Sequence, residues 1–263
     1  MILRYLKLYR QFLLFSISKT AEFRMDFFAR IIMDVIYYGT NIYFFKVIFL
    51  HSSALAGWTE SQVMVFVGIF LMMDGLNMTI FANNLWWISN LVNKGELDYY
   101  LLRPVSSLFF LSTREVAINS FINLLFAGGI FAWAIASYPH SISWDRYLLM
   151  SFLFVLGFLL YFFLRIIFIL PVFWTHGGKG GELVFWTLNR LLERPDRIFR
   201  SWMRVVVITI LPFGVMSSYP AHVLWEADVW PFVTGSVVVT LVFGFLTVAL
   251  WKFALRSYSS ASS

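Results

Sequence analysis

The chain contains no cysteine and few charged residues. Only 13% of its 263 residues are charged, whereas a soluble domain carries about 25%. Without cysteine there is no disulfide framework, no thiol nucleophile and no thiolate metal site. So few charges cannot cover a soluble surface, and the 60% of hydrophobic residues with a mean hydropathy of +0.77 predict an integral membrane protein.

Motifs that mark enzymes are also missing. There is no G-x-x-x-x-G-K-[ST] loop, no H-E-x-x-H spacing and no G-x-S-x-G elbow. The segment HGGKGGE, residues 176–182, looks like a phosphate cradle only superficially, because no buried strand precedes it and no Ser or Thr follows its lysine. We interpret it as a flexible cytoplasmic turn. We therefore expect no catalytic residue, no metal site and no ATP site in this chain.

Long apolar stretches predict an all-α fold. A membrane-spanning helix needs roughly 20 mostly apolar residues, and six stretches meet this need. Pro212 lies in the short fifth stretch and is expected to kink it. The prediction is an all-α integral membrane protein with six transmembrane helices after an N-terminal amphipathic interfacial helix. The predicted segments are 1–20 for the interfacial helix and 25–49, 63–82, 109–137, 147–171, 203–218 and 231–251 for the spans.

Lysine and arginine are concentrated on one predicted side of the membrane. The loops 50–62 and 219–230 contain none, and the loop 138–146 contains only Arg146. The positive-inside rule places both termini in the cytoplasm. The net charge of +6 then reflects orientation and anionic headgroups rather than nucleic acid. The basic residues assigned to the cytoplasm are Arg4, Lys7, Arg10, Lys19, Lys94, Arg103, Lys179, Arg190, Arg194, Arg197, Arg200, Lys252 and Arg256.

The N-terminal segment has two different faces. Arg4, Lys7, Gln11 and Ser18 fall near one helical face, and apolar residues such as Leu6 fall near another. This pattern is typical of a helix that lies in the membrane interface. The alternative is a basic flanking tail that only enforces topology.

Three ionisable residues lie well inside predicted spans. Asp34, Asp74 and Arg165 each face protein or water, because a charge in hydrocarbon costs a few kcal/mol. The favoured interpretation is a structural pair between Arg165 and one of the aspartates. The alternative is a path for a polar substrate or an ion.

The loop NKGELDYYLLRP, residues 93–104, is unusually charged for its surroundings. Gly95 is suited to end the preceding helix, and Glu96 and Asp98 suit the start of a new one. Leu97, Tyr100 and Leu101 would form an apolar face, and Pro104 would end the segment. This pattern indicates an exposed docking surface rather than a spacer. A second basic loop, residues 182–201, is interpreted as an interfacial helix broken before Pro195, serving either membrane anchoring or partner contact.

Two motifs resemble one family. The stretch GELDYYLLRPVSSLF resembles the G-x-L-D-x-x-L-L-R-P-V segment between the second and third spans of permeases of type-2 ABC exporters. The stretch LPFGVMSSYPAHVL, residues 211–224, is similar to that family's fifth span. There a helix with a proline, here Pro212, gives way to a Tyr-Pro, here Tyr219 and Pro220, and to short extracellular helices.

The resemblance implies a division of labour between chains. Residues 95–104 would be a coupling helix seated in a groove of a separate nucleotide-binding ATPase subunit, which would bind ATP and Mg²⁺. A second permease chain, identical or related, would complete the pore in a bacterial cytoplasmic (inner) membrane. The first, second and fifth spans would form the permease interface and substrate path. In the coupling helix, Glu96, Asp98 and Arg103 would make polar contacts, and Leu97, Tyr100 and Leu101 would fill the groove.

Three functions remain open at this point. The first is export of a lipidic, amphipathic or polymeric substrate by an ABC permease. The second is an ion- or proton-coupled carrier or channel that uses Asp34, Asp74 and Arg165. The third is a membrane assembly factor without transport activity.

Overall fold

A computed structural model describes residues 2–20, 24–175, 177 and 179–258, and their regular structure is helical apart from one isolated bridge between Leu55 and Trp58. The predicted all-α class is confirmed for these residues. Two π-helical turns, Met78–Ala82 and Val206–Ile210, and one 3-10 turn, Asp196–Ile198, accompany the helices. The helices are α1 (Ile2–Thr20), α2 (Arg24–His51), α3 (Glu60–Asn77), α4 (Asn83–Asn93), α5 (Asp98–Leu101), α6 (Ser107–Thr113), α7 (Ile118–Ala136), α8 (Trp144–Ile169), α9 (Val172–Thr175), α10 (Gly180–Asn189), α11 (Ser201–Val205), α12 (Phe213–His222) and α13 (Trp230–Arg256).

Helices α3 and α4 form one 34-residue helix, Glu60–Asn93, with the first π turn inside it. It starts at a capping box, in which the Gln62 amide donates to the Thr59 hydroxyl and the Thr59 amide donates to the Gln62 side chain. Its apolar residues are largely buried, so this helix forms the centre of the molecule. Gly68 allows this helix to pack closely against α7, because a Cβ at this position would lie 2.7 Å from the Phe131 Cα.

The helical bundle has two ends. One end, called the α5 end below, gathers α1, α5, α6 and the C-terminal turn of α13, where Trp251 donates to Ser107. The opposite end, called the Trp58 end, gathers the loops around residues 52–59, 137–146 and 223–229. There Trp58 and Tyr138 both pack against Trp225.

The segment 180–198 runs from one end to the other. Near the last turns of α8, Arg165 pairs with Glu182 at 3.2 Å. Near the first turn of α8, Arg146 donates to the Glu226 carbonyl at 2.8 Å, and Arg197 pairs with the carboxylate of the same Glu226 at 2.5 Å. Arg146 and Arg165 are 19 residues apart on one helix, which corresponds to about 28 Å. Glu182 therefore lies near the last turns of α8, and Arg197 lies beside a residue that contacts its first turn.

This path corrects the predicted fourth loop. Residues 182–201 were predicted to be a cytoplasmic loop on the side of Lys179, but Arg197 lies at the Trp58 end. The prediction was wrong because Arg190, Glu193, Arg194 and Arg197 lower the apolarity of the stretch below that of a span. The fold instead buries the apolar side of this segment, with Phe185, Leu192 and Asp196 fully enclosed.

The predicted fifth span, 203–218, is not one straight helix. The helical pair Ser201–Ile210 and Phe213–His222 is bent by 96°. Pro212 occupies the N-cap of α12, where its missing N–H leaves no hydrogen bond unmade. Helix α12 then packs against α8 so closely that a Cβ at Gly157 would lie 2.6 Å from the Met216 carbonyl oxygen. The pair therefore enters the bundle from the Trp58 end and returns to it.

Four described helices are long and apolar enough to cross a membrane, and a fifth is added if the bent pair counts as one span. The predicted third span, 109–137, is divided in the structure, because α6 ends at Thr113 and α7 begins at Ile118. The four long helices are Ile31–His51, Glu60–Asn93, Trp144–Thr175 and Trp230–Arg256.

Candidate functional site

The turn between α4 and α5 is shaped by Gly95. Gly95 has a φ of +70°, a conformation that side chains other than glycine rarely adopt. Its N–H donates to the Val92 carbonyl at 3.2 Å, and the Glu96 N–H donates to the Leu91 carbonyl at 2.9 Å. This pair of bonds is a Schellman motif. It stops the long central helix and turns α5 sideways across its end.

The apolar side chains of α5 that the sequence predicted to be exposed are not the ones that the structure exposes. Leu97 is fully buried in the core, and Tyr100 and Leu101 are half-buried. The exposed apolar side chains are Tyr99 at 74% and Leu102 at 84%. The prediction that Leu97 fills a partner's groove is therefore wrong, because the side chain that follows the Schellman turn packs back against the bundle.

Tyr100 holds α5 to the rest of the α5 end. The Arg114 guanidinium donates to the Tyr100 hydroxyl and lies 5.1 Å from the centre of its ring. Burial and then the nearby Asp98 carboxylate raise the pKa of the Tyr258 hydroxyl. Tyr258, two residues beyond the end of α13, thus lies beside the turn. The exposed residues of the stretch 94–104, around α5, are called the docking turn below: Lys94, Glu96, Tyr99, Leu102, Arg103 and Pro104.

Arg165 is enclosed, and both of its terminal nitrogens donate hydrogen bonds. Its Nη2 donates to Glu182 Oε1 at 3.2 Å and to the Ala82 carbonyl at 3.3 Å, and its Nη1 donates to Asn77 at 3.3 Å. Both Arg165 and Glu182 are 1% exposed. The predicted pairing of Arg165 with Asp34 or Asp74 is wrong. The sequence did not predict Glu182 as the partner of Arg165, because Glu182 was assigned to a loop outside the membrane.

The two aspartates belong to a different polar group, between α2, α3, α7 and the segment 180–198. Asp34 accepts a hydrogen bond from the Asn123 side chain of α7. Tyr37, one turn along α2, donates to Glu193 at 3.0 Å. Asp74 is half-buried and lies within the electrostatic influence of Asp34, Glu193 and, more weakly, Arg165. Glu193 is the member that sequence reasoning missed.

The Trp58 end holds a buried ionic cluster. Asp196 contacts His222 at 2.7 Å and Arg204 at 2.8 Å. The His222 ring stacks on Phe232 at 4.6 Å and meets the edge of Trp58 at 4.8 Å. The cluster ties the end of the segment 180–198 to α12. Tyr219 and Pro220, which the sequence placed at an extracellular re-entry, lie buried inside α12.

The glycine-rich turn between α9 and α10 also has a packing role. A Cβ at Gly181 would lie 1.8 Å from the Phe168 carbonyl oxygen, so only glycine fits where α10 turns back along α8. Lys179 lies 3.6 Å from the centre of the Trp86 ring. Of the HGGKGG stretch, positions 176 and 178 lie outside the described residues. Among the described side chains, no group of three or more His, Asp or Glu residues is arranged to hold a metal ion.

Comparison with known families gives one result. A family model described as ABC-2 family transporter protein matches residues 35–262. No curated protein and no solved structure matches the chain significantly. The matched region includes the docking turn, the bent pair and the pair Arg165–Glu182, and it spans most of the chain, which belongs to the ABC-2 family of transporter proteins.

Proposed function

We propose that this chain is the permease subunit of an ABC exporter and that ATP hydrolysis in a separate subunit drives it through the docking turn. Membership of the family supports a permease of an ABC transporter with an ATPase partner. The observation that carries the coupling proposal is the pair Tyr99 and Leu102, which project from the turn at 74% and 84% exposure. Large apolar side chains on a short, well-anchored turn favour a groove in another protein.

The proposed membrane path has six crossings. Helix α2, the helix Glu60–Asn93, α7, α8, the segment 180–198 and α13 each connect the two ends, and the bent pair re-enters from the Trp58 end. With Arg197 and Arg200 assigned to the Trp58 end, the excess of lysine and arginine at the α5 end is smaller than the sequence predicted. The α5 end still holds most of the lysines and arginines, so we assign it to the cytoplasm of a bacterial inner membrane. Helix α1 would lie in the cytoplasmic interface.

The substrate path is proposed along α2 and the segment 180–198. Arg190 is exposed, and Glu193 and Arg194 are half-exposed, on a segment that runs the length of the bundle. Charged groups at that depth avoid lipid and face water or protein. A second permease chain placed against this side would cover them. It would create a polar seam in an otherwise apolar bundle, suited to an amphipathic substrate.

The test of coupling uses the two exposed side chains. Tyr99→Glu and Leu102→Glu will leave the fold intact, because both side chains lie outside the core, but will remove the apolar anchors. We expect the ATPase subunit to be retained at least tenfold less well in co-purification, with a parallel loss of substrate-stimulated ATP turnover. Lys252→Glu is the control, since it places the same charge at an exposed position of the same end, six residues before Tyr258, the residue that lies beside the turn.

The other outcomes separate the remaining functions. Unchanged ATPase binding and turnover in both variants would overturn the coupling proposal. Transport by the purified chain alone, abolished by Asp74→Asn, would favour a carrier or channel instead. Normal ATPase binding without any substrate-stimulated turnover would favour an assembly factor.

A further inference from the structure

A cavity of about 570 Å³ lies between α1 on one side and the end of the docking turn with Val105 and Phe110 on the other. Three of its lining side chains are cations: Lys7 and Arg10 from α1, and Arg103 from the end of the docking turn. Gln11 adds a neutral polar group, and the described lining contains no acidic residue. Three cations in one cavity whose lining holds no carboxylate repel one another, and a bound anion would relieve this repulsion.

The two walls of this cavity, α1 and the chain around Arg103, are joined by specific contacts. The Ser106 N–H donates to the Tyr5 hydroxyl at 3.2 Å, and the Val116 N–H donates to the Ser16 hydroxyl at 2.9 Å. Between these two bonds, Phe12 packs edge-on against Phe110 at 5.1 Å. Helix α1 is therefore held along its length on the segment that carries Arg103.

The rest of α1 faces outward with apolar side chains. Leu6 is 60% exposed, Phe15 66% and Ile17 53%. In water these side chains would be unfavourable, whereas a helix with exposed apolar residues beside cations is suited to a membrane surface. The cavity consequently opens where phospholipid headgroups lie.

We propose that this cavity is a binding site for the headgroup of an anionic phospholipid, with Lys7, Arg10 and Arg103 as the phosphate-binding residues. The acyl chains would lie along the exposed apolar residues of α1. Because Arg103 belongs to both the cavity and the docking turn, a bound lipid fixes the position of the docking turn relative to the membrane. The site is a property of the permease alone and does not depend on the proposed coupling to an ATPase.

The experiment is a lipid-retention measurement on the purified chain by native mass spectrometry, comparing phosphatidylglycerol with phosphatidylcholine. Wild-type protein is expected to retain phosphatidylglycerol preferentially. The variant Lys7→Gln/Arg10→Gln is expected to lose roughly thirty-fold in this retention at low salt, since each basic residue near an anionic surface contributes about a factor of five. Lys252→Gln/Arg256→Gln removes two cations from the same end outside the cavity and is expected to change retention less than twofold.

A second variant guards against loss of folding. Gln11→Glu keeps all three cations and places a carboxylate in the cavity lining, and it is expected to lower retention of phosphatidylglycerol about as much. Equal retention of the two lipids by the wild type, or unchanged retention in both cavity variants, would overturn the proposal. Complete displacement of the lipid by millimolar inorganic phosphate would also overturn it, because the site would then bind free phosphate rather than a headgroup.

Discussion

At the scale of single residues, the best-defined interaction is the pair Arg165–Glu182. Two charges that are 1% exposed are stable only together and with their remaining hydrogen bonds made. The two terminal nitrogens of Arg165 also donate to Asn77 and to the Ala82 carbonyl, at the two ends of the first π turn. Because Arg165 and Glu182 are paired with each other and enclosed, we interpret them as structural residues rather than as members of an ion path.

Removing one partner should therefore be far worse than removing both. Arg165→Met leaves Glu182 buried and unpaired, and we expect it to lower the free energy of unfolding by about 3–5 kcal/mol. The double variant Arg165→Met/Glu182→Met is expected to recover most of this loss. Unfolding midpoints in mixed detergent micelles provide the measurement. Asp145→Asn, which removes a 72%-exposed partner of Arg146, is the control and should cost less than about 1 kcal/mol. A double variant no more stable than Arg165→Met would contradict the pairing.

The docking turn shows how far residue patterns predict a site. The stretch 93–104 was identified from its charge and its motif, and Gly95 was expected to end a helix, as it does. Which of its apolar side chains face outward was not predictable from that pattern. A four-residue helix is too short to display a periodic face, and the Schellman turn that sets its direction depends on backbone bonds to Leu91 and Val92.

At the scale of secondary-structure elements, the segment 180–198 is the main departure from expectation. Hydropathy identifies α2, α8 and α13 because each contains an apolar stretch long enough to cross a membrane, and the predicted span 63–82 lies inside the 34-residue central helix. It fails for 180–198 because this segment meets lipid on only part of its surface. Glu182 and Asp196 are stabilised by partners far away in the sequence, Arg165 and His222, and no local pattern reveals such pairs.

The absence of cysteine permits a direct test of this topology. Single cysteines at Lys94, Arg200 and Asp228 are all in exposed positions. We expect a membrane-impermeant maleimide, applied to intact cells, to label Arg200→Cys and Asp228→Cys alike and to leave Lys94→Cys unlabelled until the membrane is permeabilised. Labelling of Arg200→Cys together with Lys94→Cys would instead support the cytoplasmic loop that the sequence predicted.

At the scale of the whole molecule, the bundle has one side that does not suit lipid. Arg190 and Arg194 lie between the levels of Glu182 and Arg197, and Arg194 covers the Phe44 ring at 4.2 Å. On the opposite side, α13 exposes apolar residues such as Val238 and Phe245. This asymmetry is consistent with the proposal that a second chain covers the charged side and completes a polar path.

Water access should differ between these two sides at similar depth. A cysteine at Arg190 is expected to react with a small water-soluble thiosulfonate at least tenfold faster than a cysteine at Val238, which is 58% exposed but surrounded by apolar side chains. The comparison is made on the assembled transporter in membranes. Equal, slow rates at both positions would show that the charged side is sealed and would argue against a substrate path there.

The central helix gives this asymmetric bundle a mechanical property. Its 34 residues run from the capping box at Thr59 to the docking turn, a length of about 51 Å. A rigid tilt of about 5° around its middle moves each tip by roughly 2 Å in opposite directions. Arg165 of α8 donates hydrogen bonds to Asn77 and to the Ala82 carbonyl, near the middle of this helix. If an ATPase partner pushes on the docking turn, as proposed above, a rigid tilt about this contact would move the opposite tip of the helix, at the Trp58 end, in the opposite direction.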